Sequence, residues 1–322
     1  MEINNKDHYR QHCKLEPTIP IFSRDWWLDA LCGKENWNVA LVEKNGSIIG
    51  SLPYYKKKRL GFSLSTQPPL TQTLGPWIRV SNAKYAKVLG YQKDVMTKLI
   101  DQIPMFDYFS QNWHYNNTNW QPFYWKGFEQ TTYYTYVLSI EKKEEQIWNG
   151  FDARVRTDIR KASKRFNLHV RDDLGIHSFL KLYNKTFERQ GMKVPCCTEL
   201  IERLDCQCKE RSCRKILIAE DEEGRHHAGA YVVWDENSAY YLMGGGDPDL
   251  RASGATSLVI WEAIKHASTV TRKFDFEGSM VEPIERFFRG FGGKQELIFN
   301  ISKTNSILLQ LRKCLLSMVR KK

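Results

Sequence analysis

The 322-residue sequence has no run of about 18 apolar residues, which excludes a conventional membrane-spanning helix. Its opening stretch, "MEINNKDHYRQHCKLEP", lacks the apolar centre of a secretory signal, so an intracellular, cytoplasmic protein with reduced thiols is expected. Acidic residues are in deficit, 37 against 48 Lys and Arg, leaving a net charge of +11. Such a surface suits an anionic partner: a nucleic acid, a membrane surface or a phosphate-bearing cofactor. Eight cysteines are present, and five cluster at Cys196, Cys197, Cys206, Cys208 and Cys213. The C-x-x-C pairs of a structural zinc site are missing there, so packed thiols and no metal are expected. Aromatics are plentiful, with 16 Phe, 15 Tyr and 10 Trp, enough for a large core and a lined cleft.

Two stretches share one order of elements. The first, "WNVALVEKNGSIIGSLPYY" from Trp37, reads as strand, turn at Asn45-Gly46, strand. An extended stretch "FSLSTQPPLTQTLGPW", a helix "AKYAKVLGYQKDVMTKLIDQI" and a strand "FDYFS" follow. The second, "RKILIAEDEEGRHHAGAYVVW" from Arg214, is again strand, turn at Gly224, strand. After it come a strand "SAYYLMGGG", a helix "ATSLVIWEAIKHAS" and a strand "FDFEG". A helix precedes each unit, "SRDWWLDALCG" in the first and "IHSFLKLYNKTFERQG" in the second.

Between the units lies a basic helical stretch carrying Arg154, Arg156, Arg160, Lys161, Lys164 and Arg165. It reads either as an anion-facing helix or as a solvated face. The chain ends in "SILLQLRKCLLSMVRKK", which places Leu308, Leu311, Leu315 and Met318 on one helical face, with Arg312, Lys313, Arg320 and Lys321 elsewhere. Such a helix can lie on anionic lipid, pack on its own chain or pair with another subunit.

The segment "YYLMGGGDPDLRASGATSLVIWE" joins an aromatic strand to an apolar helix through small residues and an arginine. The first helical turn leaves N–H donors unpaired, and its dipole favours negative charge. Gly254 and Ala255 allow close approach to that backbone, and Arg251 adds a forked cation. Backbone N–H groups near Met243 and Gly244 are candidates to hold an oxyanion or an amide. The corresponding stretch of the first unit carries Pro68, Pro69 and Pro76, which have no N–H. The second unit therefore suits a phosphorylated donor, and the first an acceptor pocket.

The sequence "RASGAT" at 251–256 is similar to the Q/R-x-x-G-x-G/A loop of the GNAT acyltransferases, with Thr256 departing from the small last residue. The ending "FDFEGSMVEPIERFFRGFGGKQELIFNISK" resembles that of FemABX-like proteins and the related BioF2-like acetyltransferase domain. That resemblance implies an α/β fold of two tandem GNAT-like lobes, mixed central sheets flanked by helices, with a cleft between them. Residues 1–140 would form the acceptor lobe. Residues 141–322 would form the donor lobe and carry the C-terminal amphipathic helix.

The resemblance further implies acyl-CoA, such as acetyl-CoA, bound by Met243, Gly244, Arg251, Gly254, Ala255 and Thr256. The implied activity is N-acyl transfer to a small amine. Aminoacyl-transferring relatives move an amino acid from tRNA to a peptidoglycan precursor and carry a lysine after the first phenylalanine of an F-K-x-x-F-G-G-like segment. Phe288 stands in that place here, within Phe287–Gly293, which favours the acyl-CoA reading. The alternatives are aminoacyl-tRNA-dependent transfer and a non-catalytic ligand-binding relative. No DNA partner is expected.

Acyl transfer needs a proton acceptor for the amine, donors for the oxyanion and a proton for the leaving group. Glu277 at a strand end is the candidate base, with Asp275 two residues back on the same side. Tyr240 and Tyr241 adjoin the glycines, and Tyr241 is the candidate acid. Arg286 and Arg289, three apart on one helical face, are candidates to hold an acidic acceptor or a phosphate.

Overall fold

Hydrophobic periodicity divides the chain into the elements of a computed structural model, which describes residues 5–189 and 191–319, with side-chain surroundings through Leu316. Contacts separate it into two units, Met1–Tyr133 with Leu297–Lys322, and Tyr134–Glu296. The division falls at Tyr134 rather than after residue 140. The C-terminal helix belongs with the N-terminal residues, because the strand leading into it pairs inside the first unit.

The first unit begins with α1 (Asn5–Leu15), α2 (Asp25–Cys32), β1 (Trp37–Lys44) and β2 (Ser47–Tyr55). Next come β3 (Lys57–Arg59), β4 (Phe62–Ser65), β5 (Trp77–Ile78), α3 (Tyr85–Ile100), β6 (Tyr108–Asn112), α4 (Gln121–Trp125) and β7 (Glu129–Ser139), which carries the chain onward. The second unit continues with α5 (Glu144–Asn149), α6 (Ala153–Arg165), β8 (His169–Arg171), α7 (Ile176–Arg189) and α8 (Thr198–Glu210). It ends with β9 (Arg214–Glu220), β10 (His226–Trp234), β11 (Ala239–Gly246), α9 (Ala255–Ala267), β12 (Lys273–Asp275) and α10 (Glu282–Arg289). The chain returns through β13 (Lys294–Thr304) to α11 (Ile307–Val319).

The expected order of elements recurs in both units. In each, a hairpin precedes a helix flanked by parallel strands: β4 and β6 pair in parallel around α3, and β11 and β12 around α9. The β1–β2 turn places Asn45 at φ 52 and Gly46 at φ 73, the mirror-image turn that matches strand twist. Sheet membership differs, because β1, β2 and β5 form a separate three-stranded sheet. The proline-rich stretch before β5 packs inward: Thr71 and Thr73 are buried, and a Cβ at Gly75 would lie 2.8 Å from the Trp113 ring.

In the second unit the strand order is β7-β12-β11-β10-β9-β8. The buried residues of α9 cover most of its circumference, including Leu258, Val259, Trp261 and Ile264. Contacts with β9, β10 and α6 explain that unbroken apolar run. Val155, Ile159 and Ala162 of α6 are buried at helical spacing in the same core. The basic residues keep to the outer faces of α6: Arg160 lies over Trp148, and Lys161 and Arg165 lie over Phe166. Helix α7 packs on β10 and β11, so closely that a Cβ at Gly245 would sit 2.6 Å from the Tyr183 nitrogen.

Candidate active site

An open cavity of about 300 Å³ lies where β11 leads into α9. Gly244, Arg251, Ala255 and Thr256 line it, together with Tyr241. A bulge in the β10–β11 ladder pairs Tyr231 with Met243 but Val232 with Tyr241, leaving Leu242 as the extra residue. That shift turns Tyr241 and Gly244, three apart, toward the same face. A Cβ at Gly244 would collide with the Tyr241 hydroxyl. Burial pushes the Tyr241 hydroxyl up from its ordinary value. Met243 is buried and is not among the lining residues.

The parallel ladder between β11 and β12 ends at Tyr240 and Asp275. Among the described residues, β11 gains no further ladder partner on that side beyond this point. Gly254 caps α9 at φ 82, and a Cβ there would collide with the Asp158 carbonyl of α6. Its role is thus close packing as well as conformation. The first turn of α9 presents its N–H groups beside Arg251 and the exposed Thr256.

Sequence reasoning missed Thr186 and Arg189 from α7 and His227 from β10, which also line the cavity, as do Phe287 and Phe288 of the α10 segment singled out above. Arg189 supplies a second cation. Thr186 accepts a hydrogen bond from the Gly246 N–H at 3.0 Å. His227 is buried between Asp221, 2.9 Å from Nε2, and Ser253 Oγ, 3.0 Å from Nδ1. Ser253 Oγ lies 3.4 Å from the Ala255 N–H, so this chain of contacts reaches the start of α9. The pattern H-x₂₅-S carries no local signal, since only the hairpin and the loop bring its members together.

Asp275 and Glu277 form a separate group and do not line this cavity. Phe274 and Phe276 enter the core with which Tyr241 packs, so strand alternation places Asp275 on the opposite face. Asp275 accepts hydrogen bonds from the Thr135 hydroxyl and from the Glu277 N–H at 2.9 Å. Burial pushes its carboxyl up to about 6, against the opposing pull of those donors. Glu277 follows the strand at φ 61. Burial, reinforced by Asp275, drives its carboxyl well above the usual range, although the residue keeps some surface exposure. Tyr240 points away to Asp235. Arg289 pairs with Glu285 at 2.9 Å, and Arg286 is exposed on α10.

All eight cysteines are free thiols. Among the described residues, no group of three or more His, Cys, Asp or Glu is placed to hold a metal ion.

Residues 151–283 match the family model described as an acetyltransferase (GNAT) domain. The structure is similar to that of FemX, at a TM-score of 0.67 and 15% identity, covering 97% of this chain and 98% of that one. Residues 151–283 thus match a GNAT acetyltransferase domain, and the chain as a whole shares the fold of FemX. The chain also resembles the C-terminal domain of a putative lysylphosphatidylglycerol synthetase from Agrobacterium fabrum, at a TM-score of 0.53 and 10% identity over 97% of this chain and 96% of that one. A third similar structure is L-PGS from Bacillus licheniformis, at 0.55 and 10% identity over 100% and 99%. No curated protein sequence matches the chain. The residues at the β11–α9 junction thus lie inside the GNAT-matched segment, whereas α10 lies almost wholly beyond it.

Proposed function

We propose that the protein is an N-acyltransferase that takes its acyl group from acyl-coenzyme A and passes it to an amine. The observation that carries this reading is the cavity at the β11–α9 junction, where two arginines and a helix N-terminus meet the Tyr241 hydroxyl lodged over Gly244. Those features fit a diphosphate: Arg251 and Arg189 supply charge, and the first turn of α9 supplies N–H donors. Bound there, the thioester supplies the electrophilic acyl carbon. The Tyr241 hydroxyl, kept protonated by burial, donates toward the leaving sulfur. Asp275 is the proposed proton acceptor on the amine side, on the face of the sheet opposite Tyr241, since a carboxyl near 6 is ionised at neutral pH yet still basic, and Glu277 adjoins it there. Arg286 and Arg289 are proposed to hold an acidic part of the acceptor. Action in the cytoplasm on a small amine is part of the same proposal.

Titration calorimetry with coenzyme A tests the reading. The wild type is expected to bind, and Arg251→Ala to bind about tenfold to a hundredfold more weakly, as for loss of a charge-assisted hydrogen bond. Absence of binding by the wild type, or an unchanged affinity in the variant, overturns it.

The second reading is transfer of an amino acid from aminoacyl-tRNA to a peptidoglycan precursor. The likeness to FemX supports it at the level of fold. Against it stands Phe288, which occupies the place of the family lysine and packs on Tyr241 and Phe276, with ring centroids 5.8 and 5.7 Å away. Transfer of labelled amino acid from charged tRNA, weakening steeply with salt, would decide for this reading.

A further inference from the structure

Helix α11 packs beside the β3–β4 hairpin in the first unit, and the two enclose an open groove of about 820 Å³. Its apolar wall is Leu60, Phe62, Leu64, Leu309 and Leu316. Its rim carries Arg59, Arg312 and Lys313. The sequence of the hairpin is unusual for a two-residue turn. Four cations, Lys56–Arg59, lead directly into Leu60 and Gly61 at the tip. Leu60 sits at φ 51, a conformation that bulky side chains avoid. It buries little in return, since it is 86% exposed.

Ile307, Leu308, Leu311 and Leu315 on α11 are each more than half exposed as well. The side chain of Met318, and all of Arg320 and Lys321, lie outside the described residues. Thus two elements distant in sequence present bare leucines beside an apolar groove, and both are edged by cations. Of the rim cations, Lys313 pairs with Glu129 at 2.7 Å.

We infer that this face docks on a bilayer containing anionic phospholipid, with Leu60 and the outer leucines of α11 entering the acyl region. The argument is charge complementarity joined to exposed apolar surface. Lysines and arginines at the rim meet the phosphates, while the groove gives an acyl chain an apolar wall. A soluble acidic protein would satisfy the cations but not Leu60, and a second copy of this chain would bring like charges together.

Co-sedimentation tests this with full-length protein and two vesicle types, phosphatidylcholine alone and equal parts of phosphatidylcholine and phosphatidylglycerol. The wild type is expected to pellet with the mixed vesicles, not with the neutral ones, and to be released by salt. Leu60→Asn suits the left-handed turn and so preserves the fold, yet should lose at least half of the bound fraction. Lys58→Gln should weaken binding about fivefold, as for one juxtamembrane charge. Thermal melts of both variants should match the wild type. Equal binding to both vesicles, binding to neither, or full binding by both variants overturns the inference. So does a concentration-dependent dimer that Leu311→Asp dissolves in the absence of vesicle binding.

Discussion

At the scale of single residues, the site depends on atoms that leave room for others. Gly244 tolerates the Tyr241 hydroxyl above it only because it has no Cβ. Gly244→Ala is therefore expected to cost about 1–3 kcal/mol, as for overpacking, and to abolish coenzyme A binding. Tyr241→Phe removes the nearest clashing atom, so the double variant should recover part of the stability. Urea unfolding of the four proteins measures this; strictly additive losses would show that the two residues do not meet.

Asp275 is read through pH. Its carboxyl is raised to about 6 in the fold against 3.8 for the ordinary group, so the folded state holds the proton more tightly between those values. Stability from this group is fully present below about 4 and lost as pH rises through about 6. The loss amounts to about 3 kcal/mol. Asp275→Asn should flatten that decline, leaving the variant relatively more stable at pH 7 than at pH 4. Unfolding midpoints at the two values give the comparison.

At the scale of elements, much was legible. Alternating apolar runs, the Asn45-Gly46 turn and the glycine stop after α2 locate strands and helices because each is a local property. The loop at 251–256 was legible too, since small residues before an apolar helix advertise an open N-terminus. Arg189 and Thr186 were not, because α7 shows only its buried face in sequence: Phe179, Leu180 and Tyr183 at helical spacing. That its last turn overhangs the cavity follows from Gly245, where the helix meets the sheet backbone. Nor does sequence spacing reveal that Asp275 and Tyr241 occupy opposite faces of neighbouring strands, because that depends on the register of β11 against β12. Glycine contacts give a test at this scale. Gly254 and Gly224 share positive φ, 82 and 76, but only Gly254 lies against the α6 backbone. Gly224→Ala should cost about 1 kcal/mol from conformation alone, and Gly254→Ala about 2–4 kcal/mol because backbone cannot yield to the added methyl. Equal losses in thermal melts would remove the packing role of Gly254.

At the scale of the whole molecule, the two proposed ligands belong to different units, each with its own buried clusters. Coenzyme A should act on Tyr134–Glu296, while a vesicle should act on the unit containing β3, β4 and α11. Ligand that binds only the folded state stabilises it by about 2.7 kcal/mol at a hundredfold excess over Kd, and slows exchange of amides that open by unfolding of that region. Hydrogen exchange with coenzyme A should thus protect residues around 241–256 and the end of α7, leaving the amides of β3 and β4 unchanged. With mixed phosphatidylcholine and phosphatidylglycerol vesicles the pattern should reverse, with protection over 57–64 and along α11. The net charge of +11 makes the control essential, since nonspecific adsorption would slow exchange across many basic surfaces, α6 included. Protection of α6 by vesicles to the same degree as the hairpin would mean that charge alone drives association. Protection restricted to the hairpin and α11, and lost in Leu60→Asn, would require the apolar tip as well, because that substitution leaves every charge in place.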